Sequence, residues 1–85
     1  MMAYFIHILR SLKDGSYYTD STKNLIDRLE RHNQGRTKYT KSKRPWELIY
    51  HEKYANRSSA IKREQDIKNR KSKHFIESLI RASRQ

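Results

Sequence analysis

Apolar and polar residues follow strand-like patterns in three parts of the chain. Residues 4–10 are almost continuously apolar and rich in residues that favour strands, which predicts a strand covered on both faces. The Asp14-Gly15 pair that follows is a strong hairpin signal, so a second strand over residues 16–19 should pair antiparallel with the first. Residues 46–52 alternate well enough to predict a third strand.

The segment after the second strand has the pattern of a helix. Ser21 or Thr22 can N-cap this helix, which runs to about Asn33. Arg28 and His32 fall at the border of its apolar face, where polar groups can line a cleft beside the core. That apolar face consists of Leu25, Ile26, Leu29 and Asn33.

Two further helices are predicted in the last third of the chain. One starts at Asn56 or Ser58 and continues through about Asn69, and the last covers about residues 72–82. The order β-β-α-β-α-α predicts an α/β fold of the α+β type, with a three-stranded antiparallel sheet flanked by three helices. Because no internal repeat or domain boundary is found, residues 1–85 are expected to form one domain.

The charge of the chain points to a polyanionic partner. Lys and Arg number 20 against 9 Asp and Glu, which gives a formal net charge of +11. Nucleic acid is the first candidate, because neutralising backbone phosphates releases counterions. An anionic membrane surface is second, since no strongly basic helix has a large apolar face left over.

Two basic segments are the expected nucleic-acid contacts. Residues 35–45 are predicted to be a loop, and they carry five cations, no acid and the aromatic Tyr39. Neither segment distinguishes DNA from RNA. The loop cations are Arg36, Lys38, Lys41, Lys43 and Arg44, and the second cluster contains Lys68, Arg70, Lys71 and Lys73.

The chain has no cysteine, so neither disulfides nor a thiolate zinc site is available. The apolar start is too short for a membrane span and lacks the features of a signal peptide. We therefore expect a cytoplasmic protein.

Glu64 is the most conspicuous single residue in the pattern. It falls inside the apolar stripe of its predicted helix, between Ala60 and Ile61 in angle. A carboxylate facing a core is costly unless it is paired, protonated or bound to a metal. It can pair with Lys68 or Arg57, or it can hold one hydrated hard ion such as Mg²⁺ or Mn²⁺.

Several other polar residues have both an ordinary and a chemical interpretation. Tyr17 and Tyr18 should point to opposite faces of a strand, where they reflect β-propensity or where one phenol handles a proton. Arg28 suits a phosphate but can equally be a solvated helix residue. His32 fits the C-terminal end of a helix dipole, and His7 is expected to be a hydrogen-bonded core histidine.

The order and spacing of several short motifs resemble the GIY-YIG nuclease domain. The resemblance is greatest to small stand-alone proteins related to the N-terminal nuclease domain of the excision-repair endonuclease. It covers nearly the whole chain, although each motif alone is short. The matching parts are residues 4–9, the run Tyr-Tyr-Thr-Asp-Ser-Thr-Lys-Asn-Leu at 17–25, Arg28-Leu29, His32, and residues 43–48, 60–64 and 67–68.

The resemblance implies metal-dependent hydrolysis of phosphodiester bonds in DNA by a one-metal mechanism. Tyr18 matches the tyrosine assigned as general base or water-orienting group, and Arg28 matches the arginine that contacts the scissile phosphate. His32 matches a supporting polar position, and Glu64 matches the single ligand of a Mg²⁺ or Mn²⁺ ion.

Two positions depart from the motifs. His7 replaces the usual tyrosine of the first motif, and an imidazole can also accept or relay a proton. Asp20 replaces the glycine of the second motif, and its charge should repel a phosphate unless it binds metal or caps the helix. The alternatives are therefore a nucleic-acid-binding module on the same fold, with weakened or lost catalysis, and an RNA- or ribosome-associated protein.

Overall fold

A computed structural model describes residues 3–83 of the chain. Three strands form one antiparallel sheet in the order β2-β1-β3, which confirms the predicted α+β fold. The elements are β1 (Tyr4–Ser11), β2 (Tyr17–Thr22), α1 (Leu25–Asn33), α2 (Lys38–Lys41), β3 (Trp46–Tyr54), α3 (Arg57–Arg70) and α4 (Lys73–Ser83).

The central strand β1 is buried on both faces, as its apolar run predicts. On one face, Ile6 forms the core with Ala60 and Ile67 of α3. Helix α4 completes this core with the half-buried side chains of Phe75, Ile76 and Leu79. The hydrophobic effect therefore fixes α3 and α4 on the same side of the sheet.

The other face of β1 carries a polar side chain at its centre. His7 is fully buried there and lies opposite Asp20 in the β1–β2 register. Directly opposed residues in an antiparallel pair share a face, so both side chains point to the same side of the sheet. Helix α1 supplies the fully buried His32 to this side, and the rings of His7 and His32 lie 6.2 Å apart.

The predicted start of α1 is wrong. Strand β2 continues to Thr22, and the N-cap is Asn24, whose side chain accepts a 3.0 Å hydrogen bond from the backbone N–H of Asp27. Residues 20–22 instead pair with β1, because the hairpin ladder satisfies their backbone groups. Asp20 is therefore a strand residue and not a helix cap.

The apolar face predicted for α1 is also rotated. Ile26 is 72% exposed, whereas Leu25 and Leu29 are half-buried and His32 is fully buried. The side of α1 that carries Arg28 and His32 faces the sheet, because both side chains contact Asp20 there.

Residues 35–45 are not a simple loop, since they contain the short helix α2. Its Thr40 is fully buried, and the Thr40 carbonyl accepts a 2.9 Å hydrogen bond from the indole N–H of Trp46. Gly35 has a φ of +78°, a conformation that favours glycine, and the guanidinium of Arg44 covers it. This segment is therefore packed against the start of β3.

Candidate active site

Asp20 is the centre of a polar cluster that also contains His7, Arg28 and His32. Its Oδ2 atom accepts a hydrogen bond from Nε of Arg28 at 2.6 Å. The Nε2 atoms of His32 and His7 lie 3.4 Å and 3.8 Å from the same oxygen. The other oxygen, Oδ1, accepts a 2.9 Å bond from the backbone N–H of Ser21.

The Asp20 carboxylate is held in its charged form. Burial raises its pKa, but the contacts with His32, His7 and Arg28 outweigh burial and hold the pKa well below the usual range for an aspartate. A fixed negative charge therefore lies beneath α1 at neutral pH.

The contact between His32 and Thr40 determines which ring nitrogen faces Asp20. His32 Nδ1 lies 2.7 Å from the hydroxyl oxygen of Thr40, and that hydroxyl donates to the carbonyl of Thr37 at 3.3 Å. These contacts hold the ring with Nδ1 toward Thr40, whichever ring nitrogen carries the proton. His32 then directs Nε2 at the Asp20 carboxylate.

The prediction that His7 is a hydrogen-bonded core histidine is wrong. Its ring is fully buried, and within residues 3–83 neither ring nitrogen has a hydrogen-bond partner. The 3.8 Å separation from Asp20 is too long for a hydrogen bond. A buried polar group of this kind calls for a specific explanation.

Tyr17 and Tyr18 point to opposite sides of β2, as their adjacent positions predict. The Tyr17 hydroxyl donates to Glu77 of α4 at 3.3 Å. Tyr18 packs edge-on against His32 with ring centroids 5.3 Å apart, and Tyr39 lies 5.4 Å away on α2. Burial, followed by the charge of Asp20, raises the pKa of Tyr18 above its ordinary value.

Glu64 makes one of the two ion pairs predicted from the sequence. Its Oε2 atom accepts from Nζ of Lys68 at 2.7 Å, while the side chain is 12% exposed. Burial lowers the pKa of Lys68, but the bond to Glu64 outweighs it and the net shift is upward. The same ammonium lies 5.7 Å from the ring centre of Tyr18, so Glu64 and Tyr18 share one cation.

An open groove of about 850 Å³ runs along the edge of β2, where the tyrosines and several lysines meet. Tyr17 and Tyr18 lie on its strand side. Its charged wall comes from the end of α3 and the start of α4. The aromatic and basic lining residues are Tyr17, Tyr18, Tyr39, Lys68, Lys71 and Lys73.

The structure brings together only part of the basic set predicted from the sequence. Lys68 and Lys71 line the groove, and Arg36, Lys38 and Lys41 are exposed on or near α2. Lys43 instead lies 3.6 Å from Asp14 in the hairpin turn, and Arg44 Nε donates to the carbonyl of Lys41 at 3.0 Å. Sequence reasoning missed Thr40, because a threonine within a basic segment carries no pattern of its own.

The fold and the site together define a class of protein. It is a small basic α+β domain with a tyrosine, an arginine, a histidine and a glutamate at one edge of the sheet. The family model of the GIY-YIG catalytic domain matches residues 3–77, and the chain belongs to this family. The GIY-YIG nuclease fold implies a nucleic-acid substrate, and nucleases of this family generally use a divalent metal.

The chain is similar in sequence to UPF0213 proteins, and one solved structure of such a protein has a similar fold. UPF0213 proteins of Staphylococcus aureus strains Mu50 and MW2 are 45% identical over 69 residues, which cover 80% of this chain and 83% of each relative. The solution NMR structure of a UPF0213 protein from Bacillus halodurans matches with a TM-score of 0.59 at 29% identity, covering 95% of this chain and 85% of that chain. Within residues 3–83, no helix has the length and apolar character needed to cross a membrane.

Proposed function

We propose that this protein is a metal-dependent endonuclease that hydrolyses phosphodiester bonds in DNA. The observation that carries the proposal is the convergence of Tyr18, Arg28 and Glu64 from three different elements. Lys68 contacts Glu64 at 2.7 Å and the Tyr18 ring at 5.7 Å. Arg28 binds Asp20 beside His32, whose ring packs against Tyr18. Tyr18 also lines a groove with three lysines. Packing alone does not require these groups to meet at one strand edge.

Arg28 and Tyr18 supply the charge and the proton acceptor in this proposal. The Arg28 guanidinium is a forked, cationic hydrogen-bond donor that is 28% exposed, so it can stabilise the charge that develops on a phosphate. Tyr18 orients or deprotonates the attacking water, with the Lys68 ammonium favouring its phenolate. His32 supports Tyr18 through the edge-on ring contact.

A divalent ion such as Mg²⁺ or Mn²⁺ fits the Glu64 carboxylate. Mg²⁺ is commonly held by one or two carboxylates together with water and substrate phosphate, and Glu64 offers one carboxylate beside the groove. Glu64 already binds one cation, the ammonium of Lys68, so the surroundings of this carboxylate favour positive charge. When bound, the ion would neutralise phosphate charge and stabilise the leaving oxygen.

The groove supports a nucleic-acid substrate. Lys68, Lys71 and Lys73 can follow a phosphate backbone, and the exposed ring of Tyr39 offers a surface on which a base can stack. We further propose the cytoplasm as the working compartment, because a chain without cysteine suits a reducing environment.

A nucleic-acid-binding module with weakened catalysis is the second candidate. The 2.6 Å bond from Arg28 Nε to Asp20 favours it, because the carboxylate competes with a phosphate for the guanidinium. The two candidates share salt-sensitive binding, so binding alone does not separate them.

A cleavage assay on the wild-type protein separates them. Supercoiled, branched and single-stranded DNA and a single-stranded RNA are incubated with Mg²⁺ or Mn²⁺, with EDTA as the control. We expect DNA cleavage that EDTA abolishes. Salt-sensitive binding without cleavage of any substrate would favour the binding module, and faster cleavage of the RNA would contradict the choice of DNA.

The raised pKa of Tyr18 predicts the pH dependence of the reaction. Because the folded pKa lies above 10.0, the phenolate fraction rises about tenfold per pH unit from pH 6 to pH 9, and the rate should rise without a plateau. Tyr18→Phe should lower the rate by roughly 10²–10⁴-fold. Tyr17→Phe, which only loses the bond to Glu77, is the matched control. Wild-type rates in Tyr18→Phe would rule out this phenol as the base.

A further inference from the structure

We infer a second cation site, distinct from Glu64, in which His7, Asp20 and His32 bind one transition-metal ion. This site goes beyond the proposed nuclease chemistry and does not depend on it. The three residues come from β1, β2 and α1, and one ligand atom from each lies within 4.8 Å of the others. It is the one such group of three found among residues 3–83.

The distances already approach those of a coordination shell. His32 Nε2 and His7 Nε2 lie 3.4 Å and 3.8 Å from Asp20 Oδ2. Tetrahedral bonds of 2.0–2.1 Å require ligand atoms about 3.4 Å apart. His7 Nε2 would need to approach Asp20 Oδ2 by about 0.4 Å, and strand pairing between β1 and β2 already fixes His7 against Asp20.

His7 provides an independent indication of a ligand. Its ring is fully buried beside Asp20, and both of its nitrogens lack a partner within residues 3–83. A buried imidazole that makes no hydrogen bond is unfavourable unless something else binds it. An ion between His7 and Asp20 would satisfy the nitrogen that faces the carboxylate.

His32 has the orientation of a metal-binding histidine. Its Nδ1 atom lies 2.7 Å from the Thr40 hydroxyl, and its Nε2 atom faces Oδ2 of Asp20 at 3.4 Å. In the tautomer with its proton on Nδ1, the lone pair of Nε2 is open to a cation at this position. Metal-binding histidines usually donate their second N–H to such an outer partner.

The ligand set selects the kind of metal. Two imidazoles and one carboxylate suit Zn²⁺, Co²⁺ or Fe²⁺, whereas Mg²⁺ prefers oxygen ligands. The two departures from the family motifs, His7 and Asp20, both belong to this set. The two residues are directly opposed in the β1–β2 register, so both replacements lie in the same site.

Arg28 would lose its partner when the ion binds. It now donates to the same Asp20 oxygen that the ion would take, and its guanidinium is partly exposed. Repulsion between the ion and the guanidinium would turn Arg28 away from Asp20. Metal binding would therefore release Arg28 toward solvent.

The test is binding of Zn²⁺ and Co²⁺ to the intact protein without nucleic acid, by calorimetry and by visible absorption of Co²⁺. We expect one equivalent, Co²⁺ bands typical of nitrogen and oxygen ligands, and no competition from excess Mg²⁺. His7→Gln and His32→Gln should each weaken binding by at least about tenfold. The exposed His74 of α4 provides the matched control, so His74→Gln should bind as wild type.

The Co²⁺ spectrum of the wild type decides the matter even if a variant fails to fold. Absence of histidine-ligated Co²⁺ in the wild type would overturn the proposal, as would full binding in folded His7→Gln and His32→Gln proteins. Glu64→Gln should bind Zn²⁺ and Co²⁺ as the wild type does. Failure of this binding says nothing against cleavage at Glu64, so the two proposals fail separately.

Discussion

Glu64→Gln is expected to lower metal-dependent DNA cleavage by roughly a hundredfold to a thousandfold while leaving the fold intact. The substitution keeps the shape of the side chain and removes the negative charge of Glu64 beside Tyr18. An amide binds a divalent ion far more weakly than a carboxylate does. Lys68 also loses its partner and becomes free to contact phosphate. Binding of DNA should therefore stay equal or become tighter as the rate falls.

The measurement is the initial rate of plasmid nicking across a series of Mg²⁺ and Mn²⁺ concentrations, together with DNA affinity at fixed salt. Glu30→Gln is the matched control, because it removes one negative charge from an exposed position on α1. The control should cleave as wild type. If Glu64→Gln kept the wild-type rate and metal response, the ion would have to bind elsewhere.

The parts of the fold that sequence patterns predicted well are those fixed by local periodicity. The apolar run of β1 needs no distant information, because its length and composition already indicate a buried strand. Helix α3 buries Ala60, Glu64 and Ile67 on one face as predicted, but Ile61, which was assigned to the same apolar stripe, is 36% exposed. The Glu64–Lys68 pair also follows from helical spacing alone.

The start of α1 depends on pairing that is not local. Ser21, Thr22 and Asn24 are all good N-cap residues, so propensity cannot choose among them. The β1–β2 ladder decides, because extension of the hairpin through Thr22 moves the first helical turn beyond Asn24.

The residues of the Asp20 cluster could be identified from the sequence only one by one, and not as a cluster. The family resemblance marked His7 and Asp20 as separate departures, and His32 as a supporting residue. Their meeting depends on strand register and on the rotation of α1, which no single segment encodes. Thr40, which orients His32, comes from a segment whose composition suggested a loop.

Asp20→Gly is expected to raise DNA cleavage in Mg²⁺ by about tenfold, because it removes a charged hydrogen bond that holds Arg28. The lost carboxylate also no longer repels the incoming phosphate. Within residues 3–83, Lys71 is the only non-glycine residue with positive φ, so the Asp20 backbone does not require glycine. The effect of the change therefore comes from the side chain.

Two companion variants separate charge from flexibility. Asp20→Asn removes the charge and keeps the shape, so it should give most of the increase if Arg28 release is the cause. Asp27→Asn removes an exposed carboxylate from α1 and should leave the rate unchanged. Rates are measured in Mg²⁺ with a chelator selective for transition metals, so that Arg28 in the wild type remains bound to Asp20. A fall in rate for both Asp20 variants would instead make this carboxylate a working part of catalysis.

The same assay with added Zn²⁺ or Co²⁺ tests whether metal binding to the Asp20 cluster changes the rate of cleavage in the groove. If an ion on His7, Asp20 and His32 frees Arg28, the wild type should approach the rate of Asp20→Gly, and Asp20→Gly should not respond further. The Asp20 carboxylate would then hold Arg28 away from phosphate until a metal ion replaces the guanidinium. Equal stimulation of both proteins would mean that the added metal acts at Glu64, because Asp20→Gly lacks one of the three ligands of the second site.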